Sequence, residues 1–180
     1  MRYIKIPKER VAVLIGKNGE VKEKIEKYGV KLEIDSATGD VKISGDDSFK
    51  EYIAENVVRA IGRGFSPDKA LLLFKEDYYF ELLDMRDWVG KKPEQVKRIA
   101  GRIIGKNGKA RRIIEELTGA YISVYGHTVG IIGRIDEVQT ARQAIEMLLE
   151  GANHSTVYRF LEKERRMKKL QEFGFFERKI

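Results

Sequence analysis

The apolar positions of the chain fall into blocks that switch between two spacings. After Gly19, Val21, Ile25 and Tyr28 recur at helical intervals, and after Gly108 so do Ala110, Ile113, Ile114 and Leu117. Each set predicts a helix with one buried face. A glycine, Gly29 or Gly119, closes each block, as a left-handed C-cap requires. The period then drops to two. Val30, Leu32 and Ile34 alternate with Lys31, Glu33 and Asp35, and Ile122 and Val124 alternate with Tyr121, Ser123 and Tyr125. That pattern predicts half-buried strands. Short turns, "SATGD" and "GH", lead into second strands carrying Val41 and Ile43 or Val129 and Ile131, which end at Gly45 and Gly133. Longer helices follow, one through Phe49, Tyr52, Ile53, Val57, Ala60 and Ile61, the other through Val138, Ala141, Ile145, Leu148 and Leu149.

Upstream, a strand is predicted over about 2–6, with Pro7 at its exit, and a counterpart over about 79–87, with Pro93 opening the next helix. Between helix and helix stands Gly-Lys-Asn-Gly, at 16–19 and again at 105–108. The order strand, helix, Gly-Lys-Asn-Gly, helix, strand, strand, helix is therefore written twice, an internal repeat of a whole domain. The join contains "SPDKALLLF", predicted as a helix with Ser66 as N-cap and Pro67 at its first position. Residues 153–170, with Val157, Phe160, Leu161 and Leu170, predict one more helix. The expected fold is α+β. Domains cover 1–62 and 79–151, each a three-stranded sheet with helices on one face. A helical linker covers 63–78, and a C-terminal helix and tail cover 152–180.

Composition narrows the chemistry. The 180 residues hold 35 Lys and Arg against 28 Asp and Glu, for a net charge of +7. That balance favours acidic partners, nucleic acid or an anionic membrane. No apolar run is long enough to cross a bilayer, and "MRYIKIPKER" lacks the apolar core of a signal peptide. A cytoplasmic protein without membrane association is expected. The absence of cysteine excludes disulfides and thiolate metal sites. His127 and His154 have no second ligand at useful spacing, so no metal site is expected. High charge, no cysteine and four each of Asn and Gln fit a thermophilic source.

Catalysis has no visible inventory. "GRIIGKN" is not a phosphate-binding P-loop: three residues rather than four separate its glycines, and Asn stands where Ser or Thr must meet magnesium. Most carboxylates sit three or four positions from Lys or Arg on helices, which is surface patterning. No enzyme, no catalytic residue and no cofactor is expected.

The repeated tetrapeptide is different. Its glycines adopt dihedrals closed to other residues and let another backbone come close. The helix behind it presents free N–H groups and a positive dipole end, an anion site. Lys17 and Lys106 add a full charge there, and Asn18 and Asn107 tolerate left-handed backbone. The flanking helices and the central strand are expected to form an apolar trough, with phosphates at the turn and bases in the trough. Charge is concentrated in the second copy. Residues 91–112 hold nine basic side chains and one acid, whereas 2–27 hold eight and four. Arg98 and Arg102, one helical turn apart, share a face leading to the turn. The mixed charges of 159–169 read as an ordinary solvated helix. Trp88, Tyr78, Tyr79 and Phe80 read as core or interdomain packing rather than as base-stacking residues.

"VLIGKNGEVKEKI" and "RIIGKNGKARRII" resemble the signature of the K-homology (KH) RNA-binding domain, and the element order resembles its type I form. The resemblance covers about 1–62 and 79–151. KH modules clamp about four nucleotides of single-stranded backbone with a GxxG loop. Two tandem repeats, a helical linker, "GRIIGKNGKARRIIEELTGA" and a basic last helix together resemble the partner-of-Nob-one family. Its members assist maturation of the small ribosomal subunit, bind ribosomal RNA near its 3′ end and help present the cleavage site to a separate nuclease. Eukaryotic members have lost the first GxxG; this chain keeps both, which implies an archaeal member. The resemblance implies a non-catalytic single-stranded RNA-binding protein that contacts small-subunit ribosomal RNA near its 3′ end. The implied RNA-binding residues are Gly16, Lys17, Asn18, Gly19, Arg98, Arg102, Gly105, Lys106, Asn107, Gly108, Lys109 and Arg112. An rRNA-processing endonuclease or a translation or assembly factor is the implied protein partner. Two readings stay open beside it: a general RNA-decay or translational-regulator protein, and a scaffold whose first domain docks a protein.

Overall fold

The structure, a computed structural model, describes residues 1–174. The chain divides into two compact units, Met1–Phe80 and a second beginning at Glu81. The first contains β1 (Arg2–Lys5), α1 (Lys8–Ile15), α2 (Glu20–Glu26), β2 (Val30–Ile34), β3 (Asp40–Gly45), α3 (Ser48–Gly62) and α4 (Pro67–Leu71), which runs into a tight turn at Leu72–Phe74. Strand β4 (Tyr79–Asp84) crosses the boundary. After it come α5 (Arg86–Val89), α6 (Pro93–Ile104), α7 (Lys109–Thr118), β5 (Tyr121–Tyr125), β6 (Thr128–Gly133), α8 (Ile135–Leu149) and α9 (His154–Glu172).

Each repeat builds one three-stranded sheet, in the orders β1-β3-β2 and β4-β6-β5. The alternation read from sequence sets the register. Leu32 pairs with Ile43 and Ile122 with Ile131, all buried, while Lys31 and Glu33 point to solvent. The apolar faces of the helices close each core over these strands. Leu14, Ile25 and Ile61 are fully buried in the first unit, and Ile103, Ile114 and Ile145 in the second. The strand that follows each GxxG helix, β2 or β5, is an edge strand and β3 and β6 are central, so the trough beside each turn borders an edge strand rather than the expected central one. The hairpin explains this: its second strand is the one the preceding domain strand pairs with, leaving the first strand outside.

Local chemistry moves several boundaries. Strand β4 ends at Asp84, short of the expected 87. The Asp84 carboxylate accepts the Arg86 backbone N–H at 2.9 Å and clamps the Arg86 guanidinium at 2.7 Å, which turns the chain into α5. Trp88 of α5 then packs on the core. Gly119 is the left-handed C-cap of α7, with φ 84°, but α2 stops at Glu26, before Gly29. Ser66 precedes α4 without a side-chain capping bond, and Pro67 alone marks the start. Helix α4 packs against α3, so the expected linker is part of the first unit. Asn153 caps α9 by accepting the Thr156 N–H at 2.9 Å. The last part of the expected tail, 175–180, lies outside the described residues.

One device occurs in both repeats. Arg10 of α1 donates to Ile61 O and Phe65 O, each at 2.8 Å, at the end of α3. Arg102 of α6 donates to Leu148 O at 3.1 Å and Ala152 O at 2.6 Å, at the end of α8. A cation at a helix C-terminus complements the dipole, and here it adds a second donor to Ile61 O and Leu148 O, each of which accepts a turn N–H. His154 Nε2, 2.8 Å from Arg102 O, adds a second tie between α6 and the start of α9.

Candidate nucleic-acid interface

The two Gly-Lys-Asn-Gly turns have the same shape. Gly16 has φ 76° and ψ 173°, and Gly105 has φ 75° and ψ 173°. Asn18 and Asn107 both sit at φ 56°, ψ 27°, and they are the only non-glycine residues with positive φ among the described residues. The glycines serve different ends. A Cβ on Gly16 would come within 2.5 Å of Val21 Cγ2, and one on Gly105 within 2.7 Å of the Ala110 Cβ. Gly19 and Gly108 have room for a Cβ, but φ of 76° and 75° make a side chain costly. The outcome is a reversal that leaves Lys17, Asn18, Lys106 and Asn107 exposed at the mouth of a helix.

Beside the second turn, Lys97, Ala100, Gly101 and Ile104 share one face of α6 by helical spacing, and Lys109 and Ile113 share one face of α7. Ala100, Ile104 and Ile113 are half-buried, as is Val124 on β5. Because β5 is an edge strand, alternate backbone groups face outward. The outward N–H of Ile122 is taken by Glu115 at 2.8 Å, and in the first repeat that of Leu32 by Glu26 at 3.0 Å. Two residues further on, the backbone groups of Val124 face the same way by the alternation of the ladder. The trough thus has an apolar helical wall and an edge strand able to exchange hydrogen bonds with a planar partner.

The first repeat is more polar at the same places. Glu20 stands where the second has Lys109, and Lys24 where it has Ile113, and the two pair at 3.3 Å. Helix α2 spans seven residues against ten for α7. A carboxylate at the first helical position opposes an anion there.

The expected site residues divide. Gly16 to Gly19 and Gly105 to Gly108 form the two turns. Lys109 and Arg98 are exposed, and Arg112 is exposed with one nitrogen 3.2 Å from Asn107 O, beside the turn. Arg102, expected to flank RNA, is committed to the carbonyls at the end of α8 instead. The basic run of 91–112 gave no sign that one member bonds to main-chain carbonyls. Sequence reading also passed over Gly101 and Glu115. Gly101 lies inside a helix, exposed, with nothing within 4 Å of where a Cβ would stand. A glycine there costs helix stability and repays nothing in packing, a signal that was visible in "IAGRII". Among the described residues no group of His, Cys, Asp and Glu is arranged to hold a metal, and no helix is long and apolar enough to cross a membrane.

Residues 79–166 match the family described as the eukaryotic type KH domain (KH-domain type I), and residues 1–59 match the KH domain family. A KH domain-containing protein of Methanocaldococcus jannaschii is 51% identical, over 99% of this chain and 80% of that protein. The pre-rRNA-processing protein PNO1 of Phaeosphaeria nodorum is 33% identical over 58% of this chain, which spans only 40% of that protein's length. Among solved structures, the a/eIF2alpha-aDim2p-rRNA complex from Pyrococcus horikoshii contains a chain 45% identical, with a TM-score of 0.84, covering 92% of this chain and 93% of that one.

Proposed function

Because this chain belongs to the Dim2/PNO1 family of tandem type I KH-domain proteins, we propose that it binds single-stranded ribosomal RNA near the 3′ end of the small-subunit molecule. It acts there as a placement factor in rRNA processing and ribosome assembly. The observation that carries the reading is the pair of GKNG turns, identical in backbone, each opening a helix beside an edge strand. Phosphates sit against the N–H groups and lysines of the turns, assisted in the second repeat by Lys109, Arg98 and Arg112. Unstacked bases lie in the trough against Ala100, Ile104 and Ile113 and meet the free edge of β5. The second repeat supplies most of the affinity, and Glu20 weakens the first. The protein is non-catalytic and works in the cytoplasm. The rRNA complex that includes a translation factor, and the processing role in the PNO1 name, support RNA together with a translation or assembly factor as partners.

Crosslinking the protein to total cellular RNA and mapping the sites tests this reading. The crosslinks should concentrate at the 3′ end of small-subunit rRNA, and the corresponding single strand should bind more tightly than its duplex. Crosslinks scattered over messenger RNAs, or equal affinity for the duplex, would favour a general regulator instead.

A further inference from the structure

At the other end of α6 from the GKNG turn lies a cavity of about 410 Å³. Its lining combines apolar Pro93, Val96 and Ala100 of α6 with the β5–β6 turn at Gly126 and His127. Lys91 and Lys97 are part of its lining, exposed and without an ion pair among the described residues. The third cation of the lining, Arg86, is already neutralised by Asp84 at 2.7 Å. That guanidinium holds the Asp84 carboxyl down at about 2, so the aspartate stays charged. His127 Nδ1 is buried without a hydrogen bond among the described residues. The His127 backbone oxygen accepts the Met85 N–H at 2.8 Å, and Nδ1 lies 3.3 Å from Asp84 Oδ1.

The cavity depends on features that only the second repeat has. Helix α6 has 12 residues where α1 has eight, and the extra turn carries Pro93 and Val96. In the first repeat the depression beside the β2–β3 turn is lined by Tyr3, Glu33, Asp35, Asp40 and Lys42 and by no residue of α1, and Lys42 is already paired with Glu33 at 3.5 Å. The cavity is also in line with the trough. Lys97, Ala100 and Ile104 lie on one face of α6, and Val96 is about 13 Å along the axis from Gly105. A strand held at the turn and running along this face reaches the cavity after its bases have filled the trough.

An apolar slot lined also by an imidazole and two unpaired lysines matches a planar base with its phosphate. We propose that the second repeat holds one further nucleotide of the bound strand here, beyond the four a GxxG domain clamps. The base packs against Pro93, Val96 and Ala100, and the phosphate lies between Lys91 and Lys97. This rests on the RNA-binding reading given above.

The test uses the full chain and synthetic RNA strands of four, five and six nucleotides, extended at either end from the best-bound tetranucleotide. The wild-type protein should gain about tenfold in affinity when the fifth nucleotide is added at one end. The variant Lys91→Ala, at a residue outside the trough face of α6, should lose most of that gain while binding the tetranucleotide within about twofold of wild type. Its log K against log salt slope should fall by about 0.7 per lost phosphate contact, on the longer strands only. His127→Ala, which removes the imidazole from the slot but leaves both lysines and the trough intact, should also reduce the gain. No gain at either end, or a gain that survives both variants, overturns the subsite and leaves the tetranucleotide clamp standing. Failure of every strand to bind overturns the RNA reading and the subsite with it.

Discussion

At the scale of single residues, the second clamp departs from stable helix design at one point. Gly101 is an exposed helical glycine with empty space around its absent side chain. Replacing it by Ala should stabilise the fold by about 0.5–1 kcal/mol, because Ala is the better helix former and nothing is displaced. If the RNA backbone approaches this face, the same methyl group should weaken binding several-fold. Thermal unfolding and an RNA titration on Gly101→Ala measure the two effects together. A variant that is both more stable and an equally good binder would show that nothing packs there. The first repeat has Ala12 at the corresponding position, in keeping with a weaker site.

At the scale of elements, the position of α6 is held by Arg102 and His154 rather than by its apolar face alone. Arg102→Met keeps the aliphatic stem and removes two hydrogen bonds to Leu148 O and Ala152 O. Losing them should cost about 1–3 kcal/mol of stability. RNA affinity should fall because the turn is three residues away, but the slope of log K against log salt should not change, since no phosphate contact is lost. A slope reduced by about 0.7 would return Arg102 to the RNA surface. Helix and strand types were legible in the sequence because their periods are set by burial, which Leu32, Ile43, Ile122 and Ile131 report directly. Strand order was not legible. In the first repeat the edge strand β2 and the central strand β3 both alternate, and only pairing with β1 separates them, whereas in the second repeat the central strand β6 is buried throughout. The shortened β4 escaped notice for a related reason: Asp84 ends it through a side-chain bond to Arg86, which no periodicity encodes.

At the scale of the whole molecule, the duplication itself was readable, because Gly-Lys-Asn-Gly imposes one backbone shape wherever it appears. The inequality of the copies was readable in part. Local charge pointed to the second repeat, and the structure adds the longer α6 and α7, with Lys109 where the first repeat has Glu20. Charge counting could not show that, of Arg98 and Arg102 one turn apart, Arg102 is the one that meets carbonyl oxygens. The central claim is that the second GKNG turn is the main phosphate clamp. Replacing Lys106 and Asn107 with Asp keeps both glycines, and Asp tolerates the left-handed backbone of position 107. The measurement is an RNA titration on that double variant and on its counterpart at Lys17 and Asn18, with circular dichroism to establish that both are folded. The second-repeat variant should lose at least about tenfold in affinity, from two misplaced charges at a phosphate site, and the first-repeat variant less. Weaker binding by the variant at 17 and 18 than by the one at 106 and 107 would contradict the account.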